Sequence, residues 1–86
     1  MREILIGAND IQNQRFEYYL LAETLGTEEG CETYGVKIAG SGGDGDAVRD
    51  ITVSQGRILC LLSALVKFQV TPVSLRDVVE DWLLAD

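Results

Sequence analysis

The sequence predicts an α+β domain: an antiparallel meander of three to four strands with two C-terminal helices packed on one face. Three observations predict it. Between Phe16 and Val53, apolar residues alternate in short runs rich in aromatic and β-branched side chains, with turn residues between them. From Ser54 onward the apolar spacing changes to the three- and four-residue step of amphipathic helices. Pro72 then divides that helical third in two.

The elements follow in order. Glu3 to Gly7 reads as a short strand and Ala8-Asn9-Asp10 as a turn. From Arg15 to Glu23, Phe16, Tyr18, Leu20 and Ala22 share one face of a strand, and Arg15, Glu17, Tyr19, Leu21 and Glu23 share the other. A helix is the competing reading, because Tyr18, Leu21, Ala22 and Leu25 also repeat at helical spacing before Gly26. Thr27-Glu28-Glu29-Gly30 is turn material. Glu32 to Ala39 forms the next strand, with Tyr34, Val36 and Ile38 on one face and a bulge or close approach marked by Gly35. Gly40 to Asp46 interrupts the pattern, and Ala47 to Val53 resumes it, so the Asp44-Gly45 pair marks a hairpin.

Ser54 caps a helix from Gln55 to about Phe68. Ile58, Leu61, Leu62 and Leu65 centre its apolar arc, flanked by Leu59, Ala64, Val66 and Phe68, against a narrow polar face of Gly56, Ser63 and Lys67. An arc this wide requires cover from both the sheet and the last helix. That last helix opens at Thr71-Pro72-Val73-Ser74, with Ser74 as cap, Asp77 at the third helical position, and Val73 clasping Val78 as a hydrophobic staple. Leu75, Val78, Val79, Trp82 and Leu83 form its apolar stripe.

Composition bounds the function. The 86 residues make one domain, 1–86, and 47% apolar with 24% charged content is that of a globular chain. Seven basic against 14 acidic residues give a net charge of −7, which opposes binding to a phosphate backbone and predicts no nucleic-acid partner. Histidine is absent, so the usual acid–base group near neutral pH and the commonest metal ligand are missing. Ser54 and Ser63 have no base near them in sequence, and no catalytic, cofactor or metal constellation emerges. Cys31 and Cys60 lack metal-type spacing; both are expected reduced, with Cys60 packed as a small hydrophobe and Cys31 the more exposed. No leader and no membrane span is legible, which makes the cytoplasm the expected location.

The loop Gly42-Gly43-Asp44-Gly45-Asp46 leads into a strand and carries two acids, which argues against a phosphate cradle. A solvated hairpin tip is the expectation, with weak cation binding as the sharper alternative. Trp82 lies on the core stripe of its helix; an interface anchor is its second reading. Tyr19 and Leu21, on the less apolar face of their strand, are candidate contact residues of an outer patch, and Leu84, on the polar side of the last helix, is a third. The acidic runs Glu28-Glu29, Asp44–Asp46 and Glu80-Asp81 serve solubility, or alternatively docking to a basic partner.

Tyr34-Gly35-Val36-Lys37-Ile38, Asp50-Ile51-Thr52-Val53-Ser54 and Val79-Glu80-Asp81-Trp82-Leu83 resemble, in order and spacing, a family of small uncharacterised proteins from anaerobic Gram-positive bacteria, a domain of unknown function. The likeness runs from about Phe16 onward. It implies a cytoplasmic bacterial protein and transfers no catalytic residue. The functional expectation is a non-enzymatic protein-interaction or regulatory module, with homodimerisation a natural supplement to so small a core. The alternative is a small-ligand sensor or minor enzyme with a pocket between sheet and helices, drawing on Tyr34 or Cys60.

Overall fold

The computed structural model describes residues 1–26 and 31–85. Strands β1 (Arg2–Ile11), β2 (Gln14–Thr24), β3 (Glu32–Gly40) and β4 (Gly45–Thr52) form one antiparallel sheet in the order β1-β2-β3-β4. Helix α1 (Gln55–Lys67), a 3₁₀ turn (Pro72–Ser74) and helix α2 (Leu75–Leu84) follow. The predicted meander with two helices on one face is the observed architecture. The turn at Thr27–Gly30 falls outside the described residues.

Alternation decides which face of the sheet is covered. Phe16, Tyr18, Leu20, Val36 and Ile38 point inward and pack with Ile58, Leu61, Leu62, Leu65, Leu75 and Val79 from the helices. Arg15–Glu23 is therefore strand, not helix. Trp82 is half-buried against this core, and the Arg57 guanidinium lies 4.8 Å from its ring centroid, linking α1 to α2.

The first strand departs from expectation. Ala8-Asn9-Asp10 is not a turn; β1 runs on to Ile11, and the reversal comes at Gln12-Asn13, whose φ angles are 52° and 66°. Two left-handed residues match the primed two-residue turn that suits the twist of a hairpin. Asn9 belongs in the strand because its amide donates to the carbonyl of Val66 at 2.7 Å, a second donor for a carbonyl in the last turn of α1. Tyr18 donates its hydroxyl to the Val70 carbonyl at 2.7 Å, so both hairpin strands grip the same helix end. Helix α1 closes in a Schellman arrangement, with Gln69 N–H to Val66 O at 3.2 Å and Val70 N–H to Leu65 O at 3.0 Å. Gln69 takes the left-handed position (φ 54°) that glycine more often fills.

At the start of α1 the expected cap is present: Ser54 Oγ accepts from the Arg57 N–H at 3.2 Å. At the start of α2 it is not. Ser74 already has helical backbone angles (φ −96°, ψ −5°) and makes no side-chain cap, because the 3₁₀ turn begins the winding three residues earlier behind Thr71. The staple fails with it, since Val73 is 93% exposed.

Candidate interaction site

β1 occupies an edge of the sheet. All of Met1 to Ile6 are exposed, and this stretch contains Ile4, Leu5 and Ile6, which retain 39%, 51% and 39% of their accessible surface. The register slips between Leu5 and Gly7, making Ile6 the extra residue of a β-bulge. Beyond it Gly7 passes beneath α1; a Cβ there would stand 3.2 Å from a Val66 methyl. Leu59 lies two helical turns before Val66 on the same stripe of α1 and is also exposed. The charges bordering the apolar run are already engaged within the chain, Arg2 with Glu32 at 2.7 Å and Glu3 with Lys37 at 3.1 Å.

The opposite edge is guarded. β4 bulges between its pairings with Tyr34 and Val36, and Asp50 there adopts a left-handed conformation (φ 55°). Arg76 of α2 reaches across to donate to the Asp46 carboxylate at 3.0 and 3.1 Å and to the Ala47 carbonyl at 3.2 Å. These bonds, with the Ala47 N–H as a second donor, hold the Asp46 carboxyl below the usual aspartate range. Both edge strands carry a bulge; what sets the β4 edge apart is Arg76, a charged side chain laid across it, and such cover keeps a sheet edge from pairing.

On the outer face of the sheet the proposed patch of Tyr19 and Leu21 does not form. Leu21 is only 2% exposed, so it offers nothing to a partner. Its neighbours explain this: Gly35 lies directly across β3 and Glu3 directly across β1. Two ion pairs span the face around it, Lys37–Glu3 over β2 and Arg49–Glu23 over β3 at 2.5 Å, and the aliphatic stems of such residues cover apolar surface. Tyr19 is half-buried, donates its hydroxyl to Glu17 at 3.0 Å and lies 5.6 Å from the Lys37 ammonium. The hydrogen bond to Glu17 raises its phenol above the ordinary tyrosine value. Leu84 is exposed as expected, at 85%, beside the acids of α2.

The exposure of the two cysteines is the reverse of expectation: Cys60 is exposed and Cys31 half-buried. The sheet and α2 together cover less of the first helix's wide apolar arc than expected, leaving Leu59, Cys60 and Phe68 outside. Cys60 therefore points to no internal pocket. The space between the layers is filled by Tyr18, Ile38, Ile58, Leu61, Leu62 and Leu65, each under 2% exposed.

One cleft of about 320 Å³ opens on the outer face, lined by Glu23, Thr24, Leu25, Thr33, Arg49 and Asp50. The Thr33 hydroxyl donates to Asp50 Oδ1 at 2.6 Å, and Arg49 depresses the Glu23 carboxyl below its ordinary value through two hydrogen bonds of 2.7 and 2.5 Å. Its polar groups thus satisfy one another. In the Gly40–Gly45 hairpin, Cβ atoms at Gly40 and Gly42 would stand 2.7 and 2.9 Å from the Gln14 amide nitrogen, so these glycines make room for that side chain. Among the described residues no cluster of three or more potential metal ligands occurs.

A family model described as a family of unknown function (DUF6514) matches residues 2–85. The chain belongs to that family. The match includes β1, which lies ahead of the segment carrying the sequence resemblance. No curated protein and no solved structure matches the chain. The β1 edge is not legible as a site in the sequence, because Ala8-Asn9-Asp10 has the composition of a turn; the uncharged run Ile4 to Asn9 is the signal available there.

Proposed function

We propose that the chain is a non-catalytic interaction module of a bacterial cytoplasmic protein, and that it works by self-association. The resemblance to small proteins of anaerobic Gram-positive bacteria supports the bacterial and cytoplasmic part of this reading. The observation that carries the rest is the unbroken exposure of Met1 to Ile6 on an edge strand whose interior neighbours are tightly packed. An exposed apolar edge strand recruits another strand unless something blunts it. The acids elsewhere, including Glu80 and Asp81 of α2, keep the remaining surface soluble and mutually repellent.

Sedimentation equilibrium from the micromolar to the millimolar range tests this reading. The mean mass rises reversibly with concentration if the module self-associates. A mass fixed at that of one chain throughout contradicts it.

A further inference from the structure

We propose that a second copy of this chain pairs antiparallel with the open edge of β1, joining two four-stranded sheets into one, and that the bulge at Ile6 sets the register. This rests on the self-association reading and names its surface.

The direction of the backbone groups follows from the neighbouring strands. Arg15 turns its N–H to Ser41 Oγ (3.1 Å) and its C=O to the Ser41 N–H (2.8 Å), both on the β3 side. These groups alternate along a strand, so Phe16, Tyr18, Leu20 and Ala22 bond toward β1. Their partners there are Asn9, Gly7, Ile4 and Arg2. Glu3, Leu5, Ala8 and Asp10 therefore aim their N–H and C=O groups at the open edge.

The steps between those four residues are uneven, because the bulge inserts an additional residue between Leu5 and Ala8. A regular strand, with its strict two-residue period, can meet one half of this edge but not both. A second β1 running antiparallel carries the same uneven step in reverse order. Glu3 then faces Asp10 of the second copy, Leu5 faces its Ala8, and the two bulges oppose each other at a two-fold axis. Each outward residue has a partner, and the surface is its own complement, as a two-fold interface requires.

Charge leaves room for the same occupant without favouring it. Two copies of net charge −7 repel one another, and that repulsion is least where they meet along an uncharged strip such as Ile4 to Asn9. At its ends the pairing sets Glu3 against Asp10 of the other copy, a like-charge contact made twice per dimer. Lys37 on Glu3 and Arg15, which stands opposite Asp10 on β2, moderate that repulsion. The like-charge contact is a signature of this register and of no shorter one.

Two variants test it by sedimentation equilibrium beside the wild type. Ala8→Pro deletes an N–H that faces the open edge, so it should leave a monomer whose circular dichroism and thermal midpoint match those of the wild type at dilutions where the wild type is itself monomeric. Asp10→Asn removes both repulsive contacts and should tighten the dimer by roughly two- to thirty-fold. Should Ala8→Pro fail to fold, Asp10→Asn decides alone. An Asp10→Asn dimer no tighter than wild type overturns the register, and a folded Ala8→Pro protein that dimerises like the wild type overturns the β1 surface while leaving self-association through another face. A wild type that stays monomeric overturns both this proposal and the self-association reading, and leaves the edge to a strand of some other protein.

Discussion

A methyl group added at Gly35 would stand 2.3 Å from the Val48 carbonyl oxygen and 2.8 Å from the Arg49 Cα, both backbone atoms of the β4 bulge. Neither can retreat without unpairing β4, so Gly35→Ala should cost about 3 kcal/mol. Gly56, in the first turn of α1, has nothing within 4 Å of the same virtual atom. Gly56→Ala should instead add about 0.5–1 kcal/mol by restricting the unfolded chain and improving helix propensity. Urea unfolding of the two variants compares the signs directly; shifts in the same direction would contradict the geometry. Gly35 was legible in the sequence because glycine inside a strand pattern has few other uses. Asn9 was not, since the acceptor that explains it lies 57 residues away and no local pattern announces a long-range cap. The cysteines were misjudged for a related reason: a helical wheel gives the width of an apolar arc but not which part of it neighbours cover.

At the scale of elements, strand and helix identities followed from periodicity, whereas starts and stops depended on contacts from elsewhere. β1 reads as short in the sequence because Ala8-Asn9-Asp10 has turn-like composition, although Asn9 serves the Val66 carbonyl. α2 was expected to open with a cap and staple, but buried Pro72 and the preceding 3₁₀ turn take over that role. What anchors α2 to the sheet edge is Arg76 on Asp46, a pair invisible at a separation of 30 residues. Asp46 has its carboxyl pKa depressed in the folded chain, chiefly by Arg76. A depressed carboxylate stabilises the fold above its unfolded pKa and loses that contribution as the pH falls through the folded value. Arg76→Ala should therefore cost about 0.5–1 kcal/mol near neutrality. The gap between variant and wild type should narrow below about pH 4, where unfolded aspartate protonates. Urea midpoints measured across that range check it, and a gap constant into strong acid would contradict the pairing.

The whole molecule manages its two sheet edges differently. Both are bulged, but β4 is crossed by Arg76 and packed against α2, while β1 presents the exposed apolar run Ile4 to Ile6, whose preceding charges Arg2 and Glu3 are paired within the chain. Nothing in the sequence alone distinguishes these edges, because strand order and backbone direction emerge only when the meander is assembled. The asymmetry is the basis for assigning association to β1 and not to Leu21, which the sheet buries, or to Leu84, which sits among acids. Amide hydrogen exchange resolved by residue, followed as protein concentration rises, tests this assignment most directly. The predicted result is that Arg2, Ile4, Gly7 and Asn9 are protected at every concentration, while Glu3, Leu5, Ala8 and Asp10 become protected only as copies associate. Rapid exchange at those four amides at all concentrations would contradict it.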